Sequence, residues 1–189
     1  MKLKQILLVG IAAGAANMAM ANTGTITFSG QVVASTCAVT VDNSASASTT
    51  VTLPTVNNVD LNGTGKTAGD THFTINVTDC TAIDTPPITS IKTRFLAQDA
   101  DGANLANTAG IGSATNVAIQ LLEDTGVIGS TGDTALNFTT GYAESGTQPL
   151  ADATGSGVVQ FPFVARYIAT DAATAGTVQA IVDYELVYQ

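Results

Sequence analysis

The sequence predicts an all-β sandwich of immunoglobulin type. Three observations carry that expectation. Apolar and polar residues alternate with period two in five separate segments. The stretches between them are rich in Gly, Asn, Asp, Ser and Pro. No long run holds an apolar stripe at helical spacing. Composition agrees: 45% of residues are hydrophobic and only 11% are charged, against a usual charged share of roughly 25%. Many Thr, Val, Ala and Gly with little charge suit a β-rich exported chain better than a cytosolic enzyme.

The first 21 residues read as an address. Lys2 and Lys4 precede an apolar stretch from Ile6 to Ala16, and Ala19-Met20-Ala21 supplies the small-x-small pattern that a signal peptidase accepts. The stretch is too short for a transmembrane anchor, which needs about 20 apolar residues. Cleavage is expected after Ala21. The rest of the chain keeps four basic residues, Lys66, Lys92, Arg94 and Arg166, against 15 acidic ones. That balance argues against nucleic-acid binding, which needs cationic patches to replace counterions.

The alternating segments come in order. Ile26, Phe28, Gly30 and Val32 share one face of the first, with Thr25, Thr27, Ser29 and Gln31 on the other. Phe73, Ile75 and Val77 alternate with His72, Thr74, Asn76 and Thr78. Val117, Ile119 and Leu121 form a third face, and Val159, Phe161, Phe163, Ala165 and Tyr167 a fourth. The last and longest carries Val178, Ala180, Val182, Tyr184, Leu186 and Tyr188. Between them, Asn43–Ser48, Asn62–Gly65, Asp84–Pro87, Asp99–Gly102, Gly129–Asp133 and Gly141–Gly157 read as turns. The Ala-, Asn- and Gly-rich stretch Asp101–Asn116 is the one place where a short helix is expected.

Export makes a disulfide possible, and the chain has two cysteines, Cys37 and Cys80. A bridge between them is favoured over free thiols or a metal clip because C-x-x-C spacing is absent. It would close a long loop, worth roughly 4 kcal/mol in the chain-entropy model.

Catalytic and ligand motifs fail on inspection. Gly65-Lys66-Thr67 resembles the end of a phosphate loop, but Asp60 stands where that motif needs glycine. Asp99-Ala100-Asp101-Gly102-Ala103-Asn104 lacks the third ligand, the correctly placed glycine and the closing glutamate of a calcium loop. His72, the one histidine, lies on a polar strand face with no nucleophile motif to serve. One histidine also excludes multi-histidine metal sites. Asn62, Asn76 and Asn137 stand in N-x-Thr patterns, which matter only in a glycosylating host. The expectation is a protein without enzymatic activity or cofactor.

A resemblance enters on longer motifs. Gly24-Thr25-Ile26-Thr27-Phe28-Ser29-Gly30-Gln31-Val32-Val33 leads into Ser35-Thr36-Cys37-Ala38-Val39. Phe73-Thr74-Ile75-Asn76-Val77-Thr78-Asp79-Cys80 follows, then Gly112 to Leu122, Phe161-Pro162-Phe163-Val164-Ala165-Arg166-Tyr167, and a terminal Val187-Tyr188-Gln189. Their order and spacing resemble the type 1 fimbrial (chaperone–usher) major pilin family of Gram-negative bacteria.

The resemblance implies an incomplete immunoglobulin-like sandwich completed by a donor strand from a neighbouring subunit. On that reading residues 1–21 are the signal peptide, 22–33 the donor-strand extension and 34–189 the pilin domain. Ile26, Phe28, Gly30 and Val32 would face a neighbour's groove. Val178, Ala180, Val182, Tyr184, Leu186, Tyr188 and Gln189 would form the groove and chaperone-binding strand. The implied partners are identical or related pilin subunits, a periplasmic chaperone and an outer-membrane usher, with a host or abiotic surface met through the fibre. The implied role is a structural subunit of a surface fimbrium that supports adhesion and biofilm formation. The alternative within the same fibre is a minor pilin or an adaptor or adhesin-type subunit.

Overall fold

A computed structural model describes residues 37–42, 44, 46–81, 87–124 and 133–189. The expected leader and donor segment, with Ile26, Phe28, Gly30 and Val32, lie outside the described residues.

Two antiparallel sheets face each other. The first contains β1 (Ala38–Val41), β2 (Thr67–Thr78), β4 (Ala100–Asp101), β5 (Asn104–Ala106), β6 (Val117–Glu123), β7 (Thr134–Ala135) and β10 (Val158–Ala169). Its order is β1-β2-β10-β6-β5-β4, with β7 also pairing β6. The second contains β3 (Ser90–Ala97), β8 (Tyr142–Glu144), β9 (Gln148–Pro149) and β11 (Val182–Tyr188), in the order β11-β3-β8, with β9 also on β3. Two single turns of 3₁₀ helix, Asn58–Leu61 and Leu150–Ala153, complete the described elements. The all-β sandwich is the architecture that the alternation predicts.

The long strands form where period two predicts them. Phe73, Ile75 and Val77 of β2 meet Phe163, Phe161 and Val159 of β10 as direct cross-strand partners, and all six side chains are buried. Such facing pairs are the unit that stabilises a sheet. A ring ladder then crosses the sandwich. Phe73 lies 5.5 Å from Phe163, Phe163 packs edge-on to Phe95 of β3 at 4.9 Å, and Phe95 lies 6.4 Å from Tyr184 of β11. Edge-to-face contacts of this kind add to simple burial.

One irregularity shapes the interior. The β2–β10 register shifts between Ala165 and Tyr167, opposite Gly69, which has φ +75°. The Tyr167 ring lies where a side chain at 69 would stand, so glycine serves both the positive φ and the close approach.

Three elements differ from the sequence reading. The stretch 101–116 holds no helix: it forms the β4–β5 hairpin and irregular loops. Gly102, Gly112 and Asn116 take positive φ, which interrupts a right-handed helix, and Leu105 is buried opposite Ile119. The segment 141–157, read as turns, holds β8, β9 and a 3₁₀ turn. The regular part of the last strand begins at Val182, four residues later than the alternation suggests. Upstream, Gln179 is held by Thr108 N–H, which donates to its carbonyl at 2.7 Å, and by its own N–H to Asn107 Oδ1 at 3.0 Å.

Candidate functional site: an open groove between the sheets

Among the described residues β11 pairs on one side only, with β3. Gln189 and Ser90 exchange both backbone hydrogen bonds. Antiparallel alternation then turns the N–H and C=O of Val187, Glu185 and Asp183 toward β3. The backbone groups of Tyr188, Leu186, Tyr184 and Val182 therefore point to the free edge. The side chains of these same residues point inward and pack against the main core, as do those of Val178 and Ala180. All six remain half-buried.

The facing rim is a segment to which the sequence reading assigned no element. Residues 47–53 line the groove together with β11, Thr55 and Val56 line an adjoining cavity, and residues 49–56 make no backbone hydrogen bond to any described residue. Val51 and Leu53 pack partly on the core, with Thr50 and Thr52 exposed. That short alternation was a legible strand signal. Between the rims lies a groove of about 1020 Å³, floored by Phe73, Ile75, Phe95, Ile119, Leu121 and Ala165. Tyr167 and Val178 line both it and an adjoining cavity of about 390 Å³ against Leu61 and Ala173.

Exposed rims of unpaired backbone over an apolar floor are hazardous for an isolated domain. They are also what an added strand needs: main-chain groups on each side and pockets for alternate side chains. A single strand between two others requires a gap of about 9.6 Å, twice the inter-strand spacing.

Other features brace the groove. Cys37 and Cys80 form a disulfide, which ties the residue before β1 to the second residue past β2. The Tyr188 hydroxyl lies 3.5 Å from Cys37 Sγ, so the end of β11 reaches the bridge. The carbonyl of the C-terminal Gln189 accepts from the N–H groups of Thr89 (2.9 Å) and Ser90 (3.0 Å).

The outer face of the small sheet carries an ion-pair network. Glu144 pairs with Lys92 and, at 2.6 Å, with Arg94, and Arg94 reaches Glu185 at 3.0 Å. Hydrogen bonds from Lys92 and then Arg94 hold the Glu144 carboxyl below the usual glutamate range. The bonds to Glu144 are the main cause raising the Arg94 pKa.

His72 lies on the exposed face of β2, with Nδ1 2.8 Å from Asp124 Oδ2. Among the described residues no group of three or more His, Cys, Asp or Glu is placed to hold a metal ion.

Comparison with known proteins gives a consistent picture. The profile of a family described as "Fimbrial protein" matches residues 26–189. The F17 fimbrial protein of Escherichia coli is 37% identical over 98% of this chain and 98% of its own length. The minor fimbrial subunit HifD of Haemophilus influenzae is 34% identical over 87% of this chain and 74% of its own. A solved chaperone–usher pilus has a chain with a TM-score of 0.56 and 18% identity, covering 89% of this chain and 96% of that one. At that identity the likeness is one of fold.

Proposed function

The chain belongs to the fimbrial protein family, and we propose that it is a structural subunit that polymerises by donor-strand exchange, its groove receiving residues 25–33 of the next copy. One observation carries the reading: an apolar groove whose two rims, β11 and residues 49–56, both present backbone unpaired among the described residues.

The occupant is argued from its chemistry. Ile26, Phe28 and Val32 form one apolar face, and Gly30 in the same row lets the strand pass close to groove backbone. Burying those three side chains is worth roughly 1.5–3 kcal/mol each, and each ladder bond adds about 1 kcal/mol net. Strand addition is an established mode of recognition, with chaperone–pilin complementation a known example.

The route to the fibre follows. Residues 1–21 direct export and are removed after Ala21. Residues 22–33 are the extension and 34–189 the domain. In the periplasm a chaperone strand pairs with the free edge of β11 and of the residues leading into it, along Val178, Ala180, Val182, Tyr184, Leu186 and Tyr188, and its basic groups hold the Gln189 carboxylate. An outer-membrane usher then assembles the subunits into a surface fimbrium that serves adhesion and biofilm formation. A second reading, a minor or adaptor subunit of the same fibre, is favoured by the likeness to a minor fimbrial subunit.

The test joins a copy of residues 22–33 to the C-terminus through a short flexible linker. Tethering makes the contact intramolecular, so the expected product is a stable monomer, by size-exclusion mass and thermal melting. Deleting the original 22–33 should leave a domain that binds chaperone but cannot extend a fibre. An extended variant that still polymerises, or a truncated one that stays unfolded with chaperone present, would sink the proposal.

A further inference from the structure

The Tyr184 hydroxyl donates to the Ala47 carbonyl at 2.8 Å. Tyr184 stands on β11 and Ala47 on the facing segment, and both line the groove. The bond links two residues that line a groove of about 1020 Å³. The direction of the side chain is set from below, since its ring rests against Phe95, which is buried in the core. The far rim has few other ties. Residues 49–56 make no backbone hydrogen bond to a described residue, and Val51 and Leu53 are only half-buried.

We infer that Tyr184 is a positioning residue, a strut whose hydroxyl holds residues 46–53 one strand's width from β11 so that the groove stands ready for an incoming strand. The inference rests on the strand-acceptor reading and deepens it. A rim fixed in advance is not ordered during binding, and lowering that cost raises affinity and on-rate. Without the hydroxyl, the ring still fills its place beside Phe95, but the rim is left to its own fluctuations.

The test uses the mature chain, residues 22–189, refolded with its disulfide intact and offered a fluorescent synthetic peptide of residues 22–33. Tyr184→Phe is compared with the unmodified chain and with Tyr142→Phe, which removes an exposed hydroxyl on the outer face. The expected result is peptide association about five-fold slower for Tyr184→Phe, the equivalent of one net hydrogen bond. Hydrogen exchange should quicken in residues 46–56 while β2 and β10 keep their protection, a pattern that simple loss of core packing would not give. Tyr142→Phe should match the unmodified chain. Uptake by Tyr184→Phe at an equal or greater rate, or exchange that quickens equally in β2 and β10, would overturn the strut and leave the strand-acceptor reading standing. Failure of the unmodified chain to take up any peptide would remove both.

Discussion

The β2–β10 pair and the two rims of the groove are made of the same material, alternating β-branched and aromatic residues, yet they end in opposite states. β2 is flanked by β1 and β10, and β10 by β2 and β6. β2 has a strand on each side over residues 75–78 and β10 over residues 163–168, and Ile75, Val77, Phe161 and Phe163 are at most 2% exposed. Among the described residues β11 has a partner on one side only, and its inward-facing Val182, Tyr184, Leu186 and Tyr188 stay half-wet. The difference teaches that alternation specifies a face, whereas the number of neighbours decides how far that face is buried. Half-buried apolar residues beside an unpaired edge hold free energy still available for association.

The comparison is broken most severely at the ring ladder. Phe163 is fully buried and touches Phe73 and Phe95, so Phe163→Ala should cost about 3–5 kcal/mol. Denaturant unfolding should report the same loss whether or not a strand fills the groove. Leu186→Ala at the rim should behave differently: a modest loss with the groove empty, and a clearly larger one in the chain carrying a C-terminal copy of residues 22–33. Equal losses for Leu186→Ala in the two states would show that the rim is already as buried as the core.

A smaller effect lies on the outer face of the small sheet. The Glu144 carboxyl, held down by Lys92 and Arg94, titrates lower in the folded chain than its unfolded value of about 4.3. Its contribution is therefore present above that value and is lost as pH falls through the lower folded one. The network is partly exposed, so Glu144→Gln should cost no more than about 1 kcal/mol at neutral pH. The variant should also show a weaker fall in melting temperature between pH 5 and acid conditions, roughly the window of carboxylate titration. An unchanged acid limb would remove Glu144 from that account.

The smallest expected change improves the fold. Thr93 of β3 is 0% exposed and its hydroxyl has no hydrogen-bond partner among the described residues, although its N–H donates to Ser145 Oγ. Thr93→Val keeps the shape and deletes the orphaned hydroxyl, so melting should rise by the equivalent of about 1 kcal/mol. A drop would mean that the hydroxyl is satisfied after all.

How much was legible varies with the kind of order. His72 on the polar face of β2 and the buried rows of β2, β6 and β10 follow from period two alone. β3 carried the same signal in Ile91, Thr93, Phe95 and Ala97 against Lys92 and Arg94, but a core threonine and an exposed Leu96 blurred it. The rim at 49–56 was written in Val51 and Leu53, over a run too short to stand out. Glu144, in a stretch rich in turn residues, gave no sign of meeting Lys92 and Arg94, because sheet pairing alone brings residues 50 apart into register.

By itself the sequence determined which faces are apolar, that the architecture is all β, and that the two cysteines, if bridged within the chain, could only bridge each other. Each of these depends on neighbours a few residues apart or on simple counting. Only the tertiary structure decided that, among the described residues, β11 ends its sheet with one edge bare and residues 49–56 find no backbone partner, and that Tyr184 reaches across to Ala47. Those facts concern how many strands lie beside a given strand, and neighbour number is set by long-range pairing, which no local period records.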